Sequence, residues 1–202
     1  EALARTEARG VAVVGSPELA RYCNAVRFCP EGDSITENLR IGLAALPDAQ
    51  HFLLLPADSP ALDPQDLDRF MRGYQGGVAT SLTPFERFKT AYPTVPTKAL
   101  RLREGAYLSG APYAIDRTSF HQVVNTVERF RNLRRSPFQL LLAIGFRHIF
   151  RAVTGKYCRT DVEGVLKEKF GVTRAWIDLD GHPSLALEFD TVDEYHAIQK
   201  YF

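Results

Sequence analysis

Short apolar runs rich in β-branched residues alternate along the chain with longer stretches whose apolar positions recur every three or four residues. The first pattern suits strands and the second amphipathic helices, so their alternation predicts an α/β domain with helices packed on a largely parallel sheet. Val11 to Val14 reads as a strand ended by Gly15, after which Ser16, Pro17 and Glu18 supply an N-cap, a first-turn proline and an acid for a short helix. Val26 to Phe28 is a second short strand. Ser34 to Leu46 is predicted helical, with Ile35, Leu39, Leu43 and Leu46 on one buried face. His51 to Leu55 is apolar almost throughout, as a central parallel strand buried on both faces would be. Asp63 and Pro64 then open a helix running to about Tyr74.

Val78 to Leu82 and Lys98 to Leu102 are further strands. The connection between them, Thr83 to Thr97, is too long for a simple turn and is expected to be a substrate-facing loop. Tyr107 to Ile115 reads as a strand interrupted at Gly110 and Pro112. Arg117 to Ala152 is helical with a break around Ser136 and Pro137, and Asp161 to Phe170 is a shorter helix. Arg174 to Leu179 and Leu185 to Phe189 are expected to pair around a turn at Asp180 and Gly181, and Thr191 to Tyr201 is the last helix. No internal repeat, low-complexity tract or linker interrupts this order, so residues 1–202 read as one domain.

With 202 residues, 45% of them hydrophobic and 24% charged, the chain can bury a core of ordinary globular composition. No apolar run approaches the roughly 20 residues a membrane span requires. The three cysteines, Cys23, Cys29 and Cys158, show no CxxC spacing and leave an odd count, which suits a reducing compartment. A cytoplasmic protein is expected. A net charge of +1 argues against general polyanion binding, and neither nucleic acid nor membrane is an expected partner. The charge is uneven, however: Arg129, Arg131, Arg134, Arg135, Arg147, Arg151, Lys156 and Arg159 fall in a stretch without an acid. A solvated face opposite Phe138, Leu141, Leu142 and Phe146 explains it first, phosphate binding by guanidinium forks second and membrane-surface docking third.

Candidate chemistry concentrates at two places. In HFLLLPADSP a buried strand is followed at once by Ala57, Asp58, Ser59 and Pro60, which sets the Asp58 carboxylate just beyond the carboxyl end of the sheet, where open α/β sheets bind ligands. Asp58 is thus a candidate metal ligand, with a loop aspartate satisfying backbone amides as the alternative. In LEFDTVDEY, strand alternation would project Glu188 and Asp190 to the same side, roughly 7 Å apart. The alternative there is that Asp190 or Thr191 caps the final helix, with Asp193 and Glu194 complementing its dipole. His148 and His182 carry no recognisable triad or ligand spacing.

The ordered series DSITENLRIGL, HFLLLPADSPAL, YLSGAPYAI and LEFDTVDEY resembles the nucleotidyltransferase superfamily that includes molybdenum-cofactor guanylyltransferases and the cytidylyltransferases of isoprenoid synthesis. The resemblance spans nearly the whole chain from Val11. It implies a Rossmann-like three-layer sandwich of the nucleotide-diphospho-sugar transferase type around a mostly parallel mixed sheet. It further implies that Asp58 and Asp190 are the catalytic, metal-holding pair for Mg²⁺, although Val192 stands where the family usually has proline. Gly32, Asp33, Ser34 and Asn38 would approach base and ribose, a role that backbone amides at a helix start partly support and that an ordinary capped helix explains equally well. The stretch KTAYPTVPTKALRLREGAYLSG resembles a further branch of the superfamily, which implies that Tyr107, Ser109 and Gly110 line the acceptor site.

The family's opening strand and glycine-rich phosphate loop have no counterpart before Val11. Glu1 to Arg9 resembles the end of the family's first helix, so the chain is expected to begin inside the domain, a βα unit of roughly 30 residues short. The implied function is transfer of a nucleoside monophosphate from an NTP to a small-molecule acceptor with release of pyrophosphate, and the reading admits a homodimer. Two alternatives stand beside it. One is a non-catalytic nucleotide-binding or regulatory homologue. The other is a sugar transferase of similar fold, against which Pro60 occupies the second acidic position of a DxD pair.

Overall fold

Most of the backbone pairing runs through one strand. In chain order the elements are β1 (Ala12–Gly15), β2 (Arg27–Pro30), α1 (Ile35–Ala45), β3 (His51–Leu54), α2 (Pro64–Gly73), β4 (Val78–Pro84) and α3 (Phe85–Ala91). There follow β5 (Leu100–Leu102), β6 (Gly105–Asp116), α4 (Arg117–Arg131), α5 (Arg159–Phe170), β7 (Ala175–Asp178), a 3-10 turn at Pro183–Ala186 and α6 (Val192–Ile198). The computed structural model describes residues 5–23, 26–131, 156–189 and 191–201.

β6 pairs antiparallel with β4 on one side and with β3 and β5 on the other, and β7 pairs parallel with β4. Four strands of this sheet therefore run one way and β6 alone runs against them. β1 and β2 form a separate parallel pair, carried by α1, which packs on β1 and also reaches the main sheet through Leu43 beside Phe52. Strand alternation divides the core. Phe52, Val78 and Ile115 face α1 and α4, packing with Leu43, Phe120 and Val124, whereas Leu53, Ala79 and Ala114 face α2, packing with Leu67 and Phe70. This is the Rossmann-like three-layer sandwich over a mixed sheet. Alanines on the α2 face leave room for two large side chains that are 0% and 2% exposed, each such burial contributing about 2 kcal/mol.

Three of the expected caps form, whereas Ser16 makes no side-chain cap bond and the turn it precedes, Pro17–Tyr22, is a 3-10 helix. Ser34 accepts from Glu37 N–H, Asp63 from Gln65 N–H with Pro64 beside it, and Thr191 and Glu194 exchange a capping box. Elsewhere tertiary packing alters the expected pattern. Of the expected buried face of α1, Leu43 is buried and Leu39 and Leu46 pack against the same cluster, but Ile35, in the first turn, is 64% exposed and Thr36 lies inside instead. Among the described residues β3 pairs with β6 only, antiparallel to it rather than as a central parallel strand, and Phe52 alone of its residues is fully buried. The connection 83–97 holds α3, whose Phe88 is wholly buried, because Phe85 and Phe88 share a helical face and Glu86 and Lys89 match the dipole. β6 is continuous: the register shifts between Thr80 and Leu82, so Gly110, Ala111 and Pro112 bulge opposite Ser81, where a proline without an N–H is tolerated. Residues 185–189 are not a strand. Gly181 N–H donates to Leu82 O and turns the chain across the end of β4, and Pro183 starts a 3-10 turn in which Pro183, Ser184, Leu185 and Ala186 are all buried. Of the expected helical stretch, residues 132–152, with Arg134, Arg135, Arg147, Arg151 and His148, lie outside the described residues, as does Asp190. No helix among the described residues is long and apolar enough to cross a membrane.

Asp116 joins the sheet to α4. Ser119 N–H donates to its Oδ1 at 2.7 Å and Gly77 N–H to its Oδ2 at 2.6 Å. Partial burial pushes its pKa up, but the amides of Ser119 and Gly77, with the Ser119 hydroxyl and His51, outweigh burial and hold it below its ordinary value of 3.8. A depressed folded-state pKa contributes stability that is complete above the unfolded value and lost as pH falls through the folded one. Asp116→Asn is expected to cost about 1 kcal/mol at neutral pH, the usual worth of such a cap. Urea unfolding at pH 7 and pH 3 should show the gap to the wild type narrowing below about pH 4, where the aspartate itself becomes protonated.

Candidate functional site

The carboxyl ends of β3 and β4 lie at one rim of the sheet, since both run against β6. From β3 the chain passes through Pro56 and Ala57 to Asp58, and Phe189 N–H donates to the Asp58 carbonyl at 3.2 Å. Two segments far apart in sequence therefore meet in a backbone bond, one at Asp58 and the other ending immediately before Asp190. Asp58 Oδ1 is buried and has no hydrogen-bond partner among the described residues, and the Ser59 hydroxyl next to it is in the same state. Leaving a buried carboxylate oxygen unpaired costs free energy, which a hard cation or a donor would recover.

Beside this junction is a cavity of about 320 Å³. Phe88, Val95, Leu108, Ala186 and Ile198 form its apolar wall, and Thr97, Lys98, Ser109, Glu188 and Glu194 its polar edge. The Thr97 hydroxyl is buried without a partner among the described residues. Glu194 also holds Thr191 N–H at 3.1 Å, so the helix cap and the cavity share a side chain. A second cavity, edged by Gly76, Arg174 and Trp176, opens at the amino ends of β4 and β7, the rim away from Asp58.

The residues singled out in the sequence fall in three places. Asp58, Ser109 and Glu188 come to the rim, Glu188 by way of the 3-10 turn rather than strand alternation. Gly32, Asp33, Ser34 and Asn38 form a closed set at the start of α1. Gly32 N–H donates to Asn38 Oδ1 at 2.7 Å, Asp33 N–H to Glu37 Oε2 at 2.9 Å, and Glu37 N–H to Ser34 Oγ at 3.2 Å. Tyr107 is buried among Leu82, Leu102 and Ile177. Gly110 lies in the bulge, where a Cβ would stand 2.7 Å from Ser81 O. Asp190 lies outside the described residues. Among the described residues no three His, Cys, Asp or Glu side chains gather as a metal-binding group. Arg159 of the basic stretch pairs with Glu163 at 3.3 Å. Sequence reasoning did not single out Thr97, Lys98 or Glu194: Thr97 ends the connection expected to face substrate, Lys98 reads as the start of the next strand although that strand begins only at Leu100, and Glu194 is concealed by its capping role.

No protein-family model matches the sequence, and no curated protein matches it. Solved structures do. A hypothetical transferase from Thermus thermophilus superposes with a TM-score of 0.78 at 21% identity, over 90% of this chain and 77% of that one. A CMP:2-keto-3-deoxy-manno-octonic acid synthetase, solved in complex with CTP, superposes with a TM-score of 0.55 at 14% identity, over 98% of this chain and 82% of that one. At these identities the likeness is one of fold alone.

The bulge at Gly110 carries Ser109 to the rim through a backbone approach that only glycine allows. Gly110→Ala would drive its Cβ against Ser81 O and, at 3.3 Å, Leu185 O. Such overpacking is expected to destabilise the protein by about 1–3 kcal/mol, measured by thermal denaturation.

Proposed function

We propose that the chain is a nucleotidyltransferase that moves a nucleoside monophosphate from an NTP to a small-molecule acceptor, releasing pyrophosphate. The observation that carries this reading is the buried, unpartnered Asp58 Oδ1 at the carboxyl rim, beside a cavity of about 320 Å³. A carboxylate oxygen with no donor is a hard, anionic ligand of the kind Mg²⁺ takes, so the residues present fit that ion. Asp58 and Asp190 would hold it. When bound, such an ion neutralises phosphate charge and polarises the α-phosphoryl group.

The chain's own part in the reaction is positional. An acceptor oxygen forms its bond to the α-phosphorus as the bond to the departing pyrophosphate breaks, with the acceptor's proton released to solvent. The apolar wall of Phe88, Val95 and Leu108 would take the acceptor's body, and Lys98, Thr97 and Ser109 would orient its polar edge. The buried Thr97 hydroxyl supports this assignment, because a ligand polar group would satisfy it. On the resemblance, Tyr107 and Gly110 support the acceptor side from behind the cavity, and the α1 entry of Gly32, Asp33, Ser34 and Asn38 approaches the nucleoside.

Pyrophosphate release from each NTP with Mg²⁺, measured on the full-length protein over a panel of small acceptors, tests the reading. Asp58→Ala is expected to lower the rate on the order of 100-fold, the effect of losing several kcal/mol of charge stabilisation. Undiminished activity in that variant would remove the metal assignment, and saturable NTP binding without turnover in the wild type would favour a regulatory nucleotide-binding module. Lys98→Ala is expected to raise the acceptor KM about tenfold while leaving the NTP KM near its wild-type value, since it removes one charge-assisted contact on the acceptor side alone.

A further inference from the structure

A buried carboxylate outside the proposed site links the two segments that form it. Asp66 lies in the first turn of α2, in the stretch of chain that follows Asp58, and its side chain is 6% exposed. Three groups converge on it. Ser184 Oγ donates to Oδ2 at 2.7 Å, His182 Nδ1 lies 2.6 Å from the same oxygen, and Arg69 Nη1 lies 3.3 Å from Oδ1. His182 and Ser184 begin the strap 182–189, which leads through Glu188 to the bond between Phe189 and Asp58.

An aspartate, a histidine and a serine also make up a hydrolytic triad, but the geometry here is different. Ser184 and Asp66 approach the same ring nitrogen of His182, at 3.4 Å and 2.6 Å, and the serine proton is directed to Asp66. No relay from serine through the ring to the carboxylate exists. Nor is a buried ion pair an economical source of stability, because well-packed apolar side chains of similar volume usually do as well. What directional bonds add over an apolar contact is a single geometry. Among the described residues the strap pairs into neither sheet, and its end at Phe189 is held by a backbone bond to the Asp58 carbonyl and by packing on Tyr195.

We propose that Asp66 is a positioning residue: through Ser184 and His182 it fixes the strap against α2 and so sets where the segment running into Asp190 stands relative to Asp58. Its catalytic consequence rests on the nucleotidyltransferase reading; its structural content does not. His182 is 47% exposed, so it can be changed without emptying the core.

Amide hydrogen exchange measured by NMR on the full-length protein tests the proposal directly. In Ser184→Ala and in His182→Ala the Phe189 amide is expected to exchange about tenfold faster or more, while the amides of Ala79 and Ala114, in the sheet, keep their rates. His182→Gln, whose side-chain amide can still donate to Asp66, is expected to stay near the wild type. With NTP and acceptor present, Ser184→Ala should raise the Mg²⁺ concentration giving half-maximal rate about tenfold, the usual effect of loosening what holds a metal ligand in place. An unchanged Phe189 rate in both alanine variants would overturn the proposal, as would a Phe189 rate that rises only in step with Ala79 and Ala114. A wild-type protein without transfer activity would overturn the reading of the site, and the Phe189 exchange would still decide the strap.

Discussion

β6 is the constraint on which the rest of the molecule is built, because β3, β4 and β5 all take their backbone partners from its residues Gly105–Asp116. A one-residue slip of β4 along it would turn Val78 toward α2 and Ala79 toward α4. At Ala79 and Ala114 the α2 face has little space beyond an alanine, since Leu67 and Phe70 fill it, so size complementarity between the layers supports the hydrogen-bond register. Among the described strands, pairing with β6 relaxes at the bulge opposite Ser81. It lies where β6 delivers Ser109 to the cavity, the kind of local irregularity that re-aims a side chain beside a binding site.

Two buried carboxylates at this end of the sheet have opposite surroundings. Asp66 is satisfied by a serine hydroxyl, an imidazole and a guanidinium, and has nothing left to offer a ligand. Asp58 Oδ1 has no partner among the described residues, so its desolvation is not offset from within that part of the protein. A saturated carboxylate fixes structure and an unsaturated one awaits something that binds. Their nearness in sequence is informative for the same reason: the helix that anchors the strap begins in the connection that carries Asp58, so anything that moves α2 moves both sides of the junction.

The fold leaves the choice between catalysis and binding open, because one architecture hosts many chemistries and function resides in the site. What favours transfer over simple nucleotide binding is a cavity distinct from the carboxylate, with an apolar wall, a lysine and an unpaired hydroxyl, which gives a second reactant somewhere to sit. A sugar transferase of similar fold would be expected to carry a second acid at Pro60.

Sequence by itself determined the local elements and the three-layer class. Ser34, Asp63 and Thr191 announce helix starts because capping is decided within four residues, and the strands around Phe52, Val78 and Ile115 are legible as short apolar runs, a signal that needs no distant partner. It also marked Asp58, whose position after an apolar run is a local feature. Tertiary structure decided the rest. Leu185 to Phe189 alternates like a strand in sequence, yet its first residues are buried on all sides between the Leu67 and Phe88 clusters, a condition set by α2, α3 and α6 together. Asp66 reads as an ordinary first-turn acid, and only the arrival of His182 and Ser184 from the far end of the chain gives it three partners. Periodicity records what a residue's near neighbours along the chain require of it, whereas those contacts depend on which distant segments the sheet brings to the same rim.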